Sequence, residues 1–514
     1  MFSNVYSGTV FGMQSYIISV EADASSGLPG FEMVGLLNSE VKEAKERVKV
    51  SLKNNGFPMP PLKITINLSP ANIRKSGTKF DLPIAIALLC ALGEVKQKDT
   101  EGILFLGELG LDGELRFVQG VLPIVLEAKN NGFKKVVLPR ANANEAASVE
   151  GIEIFGLDSL LEVIRFLSID DEEKKNEFPA VKIDLNKLFE DSQYCYDCDF
   201  FEVNGQEELK RAAMIAAAGF HHMLIIGSPG SGKTMVAKRI PTILPPLSYE
   251  ESVEVSKIYS VSGYIKEYES LIVRRPFNSP HHTISAQALA GGGSVPQPGI
   301  ISLSHRGVLF LDEAVHFNRN VLEILRQPME DKTISICRSS GKFEFPADFM
   351  LIAAINPCPC GYFPDRNKCR CTEPQIKSYL EKISGPILDR IDICVHAMRV
   401  EFSDLKESTQ SKSSKEIRAE IIKARRIQED RFRGTSLRFN GEMSPSDIRK
   451  YCILDEKDEK YLEKAFQKME LSARAYHKVL RIARTIADMD CCEKIERRHL
   501  AEALNYRMTQ REFW

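Results

Sequence analysis

The stretch from His222 to Met235, HMLIIGSPGSGKTM, constrains the fold of this chain more than any other. An apolar run, 223–226, leads into a loop of the form G-x-x-x-x-G-K-[ST], and a helix-compatible segment follows, which is the setting that such a loop requires. This P-loop consists of Gly227, Ser228, Pro229, Gly230, Ser231, Gly232, Lys233 and Thr234. Its glycines let backbone N–H groups surround a polyphosphate at a helix N-terminus, the lysine can reach the β- and γ-phosphates, and the threonine can hold Mg²⁺. The sequence therefore predicts an α/β domain that binds ATP and Mg²⁺; an ordinary Gly/Pro turn is the alternative.

Two carboxylates follow another apolar run about eighty residues later, in GVLFLDE at 307–313. A run of this kind is typical of a strand buried on both faces. Asp312 is predicted to orient Mg²⁺, and Glu313 to take the proton from the water that attacks the γ-phosphate. A further apolar run, 349–355, ends at Asn356, whose amide suits the task of holding that water opposite the P-loop. The order of these motifs predicts ATP hydrolysis.

Four cysteines lie in a short Gly/Pro-rich stretch, 358–371, which we call the Cys loop. Cys358, Cys360, Cys369 and Cys371 have the spacing C-x-C-x8-C-x-C, and four thiolates match a closed, structural Zn²⁺ site. The one-residue gaps are tighter than the usual zinc spacing, so unligated cysteines remain the alternative. Cys195 and Cys198 form an isolated C-x-x-C pair, which is a weak indication of metal or redox chemistry.

Two other segments have a distinctive pattern. Residues 333–345 alternate across a Ser-Gly turn, which predicts a β-hairpin that carries Arg338 and Lys342; we call it the basic hairpin. Residues 291–299, GGGSVPQPG, form the Gly segment, and three successive glycines predict a mobile loop. The basic hairpin is similar in position to a hairpin that faces the central pore in related hexameric helicases, and an ordinary surface hairpin is the alternative.

Composition limits the classes of function. The 514 residues suffice for two to four domains, and a net charge of −2 means that any DNA binding must come from local basic patches. The longest apolar run, 82–92, is interrupted by Pro83 and is too short to cross a bilayer. The chain begins like a strand rather than like a targeting leader. We therefore expect a soluble, cytoplasmic protein without a membrane partner.

Residues 1–167 alternate strand-like and helix-like runs and resemble the Lon-protease-like domain of ComM/YifB-type, Mg-chelatase-like proteins. The resemblance is carried by PGF at 29–31, VGL at 34–36, NLSPA at 67–71, RKSG at 74–77, FDLPIA at 80–85 and GELG at 107–110. It implies an α+β domain. Lon proteases use a serine in K-D-G-P-S-A-G and a lysine about forty residues later, whereas the matching positions here hold Lys79 and Leu122. The domain is therefore expected to lack the catalytic dyad and to serve as a scaffold or as a nucleic-acid contact.

The rest of the chain resembles AAA+ motors of the Mg-chelatase-like branch. ILDRID at 387–392 is similar to an element whose arginine reaches the ATP site of the neighbouring subunit, which implies that role for Arg390; a local ion pair with Asp389 or Asp392 is the alternative. SARAY at 472–476 is similar to the start of the sensor-2 helix, which implies that Arg474 contacts the γ-phosphate of its own subunit. Residues 168–190 are charged and lack periodicity, and residues 406–415 are rich in Ser and Lys, so 168–190 and 401–415 are predicted to be linkers on either side of an AAA+ domain at 191–400. From residue 416 onward apolar residues recur at helical spacing, which predicts a helical lid at 416–514.

The resemblance covers nearly the whole chain and implies a ring, with a hexamer expected, that hydrolyses ATP. It implies action on single-stranded or branched DNA, by translocation or branch migration in the recombination of incoming DNA. One alternative is a chelatase-type or remodelling ATPase that acts on a protein partner. Another is a DNA-binding adaptor that is stabilised by zinc and has no motor activity. An ATP-dependent protease is disfavoured by Lys79 and Leu122.

Overall fold

The structure is a computed structural model that describes residues 1–192, 196–293, 296–338, 341–398 and 412–513. The N-terminal domain contains strands β1 (Phe2–Phe11), β2 (Gln14–Ser25), β3 (Gly30–Val34), β4 (Lys63–Ser69), β5 (Ile103–Phe105), β6 (Glu108–Leu109), β7 (Leu115–Arg116), β8 (Lys135–Pro139) and β9 (Glu153–Leu157). Its helices are α1 (Ser39–Asn54), α2 (Asp81–Leu92), α3 (Val121–Asn130), α4 (Ala143–Ala147), α5 (Leu160–Ser168), α6 (Asp171–Glu177) and α7 (Leu185–Ser192).

One mixed sheet organises this domain, with the strand order β3-β4-β2-β1-β5-β8-β9. The pairs β1–β2 and β2–β4 are antiparallel, whereas β5, β8 and β9 run parallel to one another. Helix α2 is apolar on all sides and is buried against β1 and β2, which explains the unbroken apolar run in its sequence. Its one buried acid, Asp81, forms an ion pair of 2.6 Å with Arg47. The observed strands and helices confirm the alternation that the sequence predicts here.

The segment that follows the N-terminal domain differs from the prediction. Residues 168–190 were expected to be a linker without periodic structure, but they contain α6 and most of α7. Phe178, between these helices, is buried against Phe166 with 5.9 Å between ring centroids. Leu185 and Leu188 of α7 pack against the core beside α3. Most residues of this segment are charged, so its sequence does not reveal these few apolar contacts. The segment packs against the N-terminal domain through them.

The central domain holds the P-loop. Its strands are β10 (Met223–Gly227), β11 (Phe277–Asn278), β12 (Gly291–Gly292), β13 (Gln297–Pro298), β14 (Val308–Leu311), β15 (Thr333–Arg338), β16 (Gly341–Pro346), β17 (Met350–Ile355) and β18 (Ile393–Ala397). Its helices are α8 (Glu207–Gly219), α9 (Lys233–Ile243), α10 (Tyr249–Val261), α11 (Ala286–Ala290), α12 (Ile300–Leu303), α13 (Arg319–Ile324), α14 (Arg326–Asp331), α15 (Glu373–Leu380) and α16 (Gly385–Leu388).

The core of the central domain is a parallel sheet with the order β11-β14-β17-β10-β18. Strands β10, β14 and β17 are buried along their whole length, because helices cover both faces. All strands run in the same direction, so the residues that follow β10, β14 and β17 meet at one edge. This edge carries the P-loop, the two carboxylates and Asn356, as the sequence predicts.

The described ends of the Gly segment are paired, whereas three successive glycines suggested a mobile loop. These ends form a small antiparallel ladder in which β12 pairs with β13. Gly291 and Gly292 have φ values of +101° and +148°, which side chains rarely adopt. A Cβ at Gly291 would also overlap the carbonyl oxygen of Gln297. Gly291 and Gly292 therefore allow the backbones of β12 and β13 to lie close together. Residues 294 and 295 lie outside the described part of the chain.

The C-terminal region is helical, as predicted. It consists of α17 (Ser414–Arg431), α18 (Pro445–Tyr451), α19 (Glu456–Lys468), α20 (Ala473–Met489) and α21 (Arg497–Phe513). These helices share one continuous hydrophobic core with α8 and α9 of the central domain. Most of the predicted second linker, 401–415, lies outside the described residues. Among the described residues, the helices include none with the length and apolar character needed to cross a membrane.

Candidate nucleotide site

The P-loop lies between β10, which ends at Gly227, and α9, which begins at Lys233. Gly230 and Gly232 have φ values of +77° and +84°. Residues with a Cβ atom are strained in this left-handed conformation, so the turn favours glycine at both positions. Gln206, which precedes α8, donates a hydrogen bond of 3.1 Å from its side chain to the Ser231 carbonyl oxygen. The P-loop is therefore positioned by Gln206 as well as by its flanking strand β10 and helix α9.

Lys233 connects the P-loop to the end of β17. Its ammonium donates hydrogen bonds of 2.8 Å to the Gly227 carbonyl oxygen and 3.1 Å to Oδ1 of Asn356. Burial lowers the pKa of Lys233, and the nearby Asp312 carboxylate opposes that shift. The structure thus brings together the lysine and the amide that the sequence predicted at this edge.

Thr234 and Asp312 form the candidate Mg²⁺ site. The threonine hydroxyl donates a hydrogen bond of 2.7 Å to Oδ2 of Asp312, so two hard oxygen donors converge on one point. The next residue, Glu313, has a φ of +50°, and its side chain is exposed. Its backbone N–H donates to Oδ1 of Asp312 at 3.0 Å. This donor set fits a hydrated Mg²⁺ ion, and the turned backbone directs Glu313 out of the strand.

The four cysteines of the Cys loop come together as predicted. Their sulfur atoms all lie within 4.8 Å of one another, and Sγ of Cys358 is 3.3 Å from Cys360 and 3.7 Å from Cys369. Tetrahedral Zn²⁺ with bonds of about 2.3 Å places its sulfur ligands roughly 3.8 Å apart. The arrangement therefore fits a closed tetrathiolate site. Cys195, of the isolated C-x-x-C pair, lies outside the described residues.

The Cys loop lies directly against the P-loop, which the sequence does not reveal. Gly361 has a φ of +81°, and a Cβ there would overlap Cδ of Pro229. Tyr379, on α15, also lies near this site, between Glu313 and the Cys loop, and no sequence motif marks it. Burial, together with the charges of Glu313 and Cys358, raises its pKa to about 12. The Cys loop and the nucleotide site are therefore parts of one local structure.

The two predicted arginines lie together at the other edge of the sheet. Arg390 precedes β18, and because β18 runs parallel to β10 this position is opposite the P-loop. Its partner is Glu330, at 2.5 Å, rather than the neighbouring aspartates. Arg474 lies 3.4 Å from Asp389, and both arginines line one cavity of about 520 Å³. The predicted contact of Arg474 with a phosphate of its own subunit does not agree with this placement.

Comparison with known proteins identifies the family. The family "Magnesium chelatase, subunit ChlI" matches residues 199–405, "Subunit ChlI of Mg-chelatase" matches 20–142, and "Magnesium chelatase, subunit ChlI C-terminal" matches 411–507. The competence protein ComM of Haemophilus influenzae is 39% identical over 504 residues, which cover 98% of this chain and 97% of that protein. The chain belongs to the ComM/YifB-type, Mg-chelatase-like family.

Other relatives are consistent with this assignment. The uncharacterized protein YifB of Escherichia coli is 39% identical over 510 residues, which cover 99% of this chain and 97% of that protein. The magnesium-chelatase 38 kDa subunit of Rhodobacter capsulatus is 22% identical over 174 residues, covering 31% of this chain and 50% of that protein. In this ComM/YifB-type chain, the parallel sheet and helical C-terminus fit the AAA+ fold of Mg-chelatase-like proteins. The Lon-like character of the N-terminal domain stays a prediction.

The basic hairpin of this ComM/YifB-type protein forms as predicted. β15 and β16 pair in an antiparallel register in which Arg338 faces Gly341, and residues 339 and 340 lie outside the described part. Arg338 and Lys342 are exposed. The guanidinium of Arg338 lies beside the Gly segment, 3.1 Å from the position that a Cβ of Gly292 would take. The hairpin and the Gly segment therefore form one composite surface.

Proposed function

We propose that this protein hydrolyses ATP and uses the energy to move DNA. The observation that carries the proposal is the convergence at one sheet edge of Lys233 with Asn356 and of Thr234 with Asp312. Lys233 would hold the β- and γ-phosphates, and Thr234 and Asp312 would hold Mg²⁺, which neutralises the charge that develops on the phosphoryl group. Asn356 would orient the attacking water, and Glu313 would accept its proton.

A ring of identical subunits is the assembly that the arginines favour, and we propose a hexamer. Arg390 and Arg474 lie at the edge opposite to the P-loop of their own chain. An arginine in that position can contact only a nucleotide that another subunit presents. Contacts of this head-to-tail kind close into a ring when the rotation between subunits allows it. In this proposal both arginines act on the neighbour's nucleotide, where a planar guanidinium stabilises the transferring phosphoryl group.

DNA, single-stranded or branched, is the proposed substrate. The relative ComM is named a competence protein, and the proposal takes incoming DNA as the substrate of this chain on that ground. With a net charge of only −2, contact with the DNA backbone must come from local cations. The composite surface of the basic hairpin and the Gly segment presents Arg338 and Lys342. We propose that ATP turnover moves this surface against threaded DNA and drives branch migration in the cytoplasm during recombination.

The Cys loop would hold one structural Zn²⁺ through Cys358, Cys360, Cys369 and Cys371. Four thiolates complete the coordination shell and leave no position for substrate. The metal would therefore stabilise the loop beside the P-loop and would take no chemical part in hydrolysis.

The decisive experiment measures ATP hydrolysis with and without single-stranded and forked DNA. Wild-type protein should hydrolyse ATP, and DNA should stimulate the rate several-fold. Glu313→Gln should still bind ATP but hydrolyse it about a hundredfold or more slowly, because the general base is lost. Glu94→Gln, at an exposed position of the N-terminal domain, is the matched control and should behave as wild type.

The outcomes separate the alternatives. Hydrolysis that DNA leaves unchanged would favour a chelatase-type or remodelling ATPase with a protein partner. Full DNA activity in the Glu313→Gln protein would contradict the motor and favour the adaptor, for which zinc and DNA binding suffice.

A further inference from the structure

A cavity of about 460 Å³ lies at the junction of the N-terminal and central domains. Its N-terminal wall includes Gly77, Lys79 and Gly120, and its central-domain wall includes Val261 of α10 and Gln297 of the Gly segment. The volume is in the range of sites that hold small molecules. The cavity is separate from the nucleotide edge of the parallel sheet, because none of the P-loop residues lines it.

Lys79 is the one cation among the residues that line this cavity. Its side chain is only 7% exposed, and within the described residues it has neither a hydrogen bond nor an ion pair. Its Nζ lies 3.6 Å and 3.8 Å from the positions that Cβ atoms of Gly120 and Gly77 would take, so it lies between two residues of the cavity wall. A buried cation without a partner is costly, because burial removes its hydration.

The buried acid Glu145 forms no ion pair with Lys79. Its Oε1 accepts hydrogen bonds of 2.5 Å from the Ser260 hydroxyl and 3.0 Å from the Leu122 N–H. Glu145 and Glu40 attract Lys79 only through space, without a contact of ion-pair length. Burial lowers the pKa of Lys79 to about 8, so the side chain remains mostly protonated at neutral pH.

A second positive element points to the same place. Helix α3 has ten residues and begins at Val121, directly after Gly120, whose φ is +76°. The N-terminus of a helix carries partial positive charge. The Glu145 carboxylate accepts from the Leu122 N–H of this first turn and offsets part of the positive charge there, but it forms no ion pair with Lys79. An ammonium group and a helix N-terminus are both standard components of oxyanion sites in proteins.

We propose that this cavity binds a small molecule through an oxyanion group, a phosphate or a carboxylate, that pairs with Lys79 at the N-terminus of α3. The carboxylates of Glu40 and Glu108 also line the cavity, and Glu40 is engaged by the Gly77 N–H at 2.9 Å. Glu108 suits a hydroxyl or amino group on the remainder of the ligand. The bound molecule would contact α10 and Gln297 as well as the N-terminal domain, and would therefore link the two domains.

The test uses the full chain with its nucleotide site saturated by a non-hydrolysable ATP analogue and Mg²⁺, so that the γ-phosphate position is filled and the nucleotide site does not bind the probe anion. Inorganic phosphate and acetate are titrated separately by calorimetry at millimolar concentrations. Wild type should bind at least one of them, and the stronger of the two identifies the oxyanion class. Lys79→Met should weaken that binding about tenfold or more, because a charge-assisted hydrogen bond is lost. Lys79→Arg, which keeps the charge, should bind.

Lys63→Met changes an exposed lysine of β4 and is the matched control, which should bind as wild type does. Thermal unfolding of Lys79→Met without added anion checks that the variant folds, and removal of an unpaired buried charge should not lower its melting temperature. Equal anion binding by Lys79→Met and wild type would overturn the proposal, as would the absence of binding of both probes to wild type. Neither result depends on ATP hydrolysis or on DNA. The anion-site proposal can therefore fail while the proposed ATP-driven movement of DNA stands, and the reverse.

Discussion

Gly361 and Pro229 form the contact that joins the Cys loop to the P-loop. Gly361→Ala should lower the affinity for ATP roughly five- to hundredfold, because the added methyl group overlaps Cδ of Pro229 and must displace one loop. Fluorescent-nucleotide titration measures the effect. Gly434→Ala is a closely matched control, since its φ of +80° is nearly that of Gly361, +81°, but no atom lies within 4 Å of the added Cβ.

Backbone strain is thus nearly equal in the two alanine variants, and only the contact with Pro229 differs. Gly434→Ala should lose stability without a change in nucleotide affinity. An equal loss of affinity in both variants would mean that strain alone acts and that the contact between the two loops is unimportant.

The Cys loop as an element allows a prediction about metal. Cys358→Ser combined with Cys360→Ser should reduce bound zinc from about one equivalent per chain to nearly none. ATP affinity should fall as well, because the loop that contacts Pro229 is no longer held. Elemental analysis and nucleotide titration provide the two readouts. Cys90→Ser, on α2 of the N-terminal domain, should change neither, whereas zinc retained in the double variant would contradict the site.

Elements also show how far sequence reasoning reaches in this chain. Asp312 and Asn356 could be predicted because each directly follows an apolar strand, and parallel strands bring such residues to one edge. Arg474 could not be placed, because its position depends on how α20 docks against the start of β18, where Lys478 donates to the Ile391 carbonyl oxygen at 2.7 Å. The glycines of the Gly segment were ambiguous, since a run of glycines serves flexibility and close backbone contact equally.

The whole assembly is tested by mixing two inactive variants. Glu313→Gln retains Arg390 but lacks the base, whereas Arg390→Ala retains the base but lacks the arginine. If each ATP site combines the P-loop of one subunit with the arginine of the next, neither variant hydrolyses ATP alone. In mixed rings, a complete site forms wherever an Arg390→Ala subunit is followed by a Glu313→Gln subunit in the direction that supplies the arginine.

When equal amounts assemble at random, each of the two subunits that form a site is the required variant with a probability of about one half. Roughly one quarter of the sites are therefore complete. Hydrolysis should therefore recover toward about a quarter of the wild-type rate, and less if neighbouring sites must fire in turn. The subunits are mixed before the rings assemble, and a Lys233→Ala subunit that replaces Glu313→Gln should rescue equally, because it too carries Arg390. An arginine that served its own subunit would give no recovery at any ratio, since no subunit in the mixture has both groups. Absence of recovery in rings that demonstrably contain both variants would exclude the shared site if rings in which wild-type subunits are diluted with the Lys233→Ala, Arg390→Ala double variant still hydrolyse ATP, because that dilution shows that isolated complete sites can turn over.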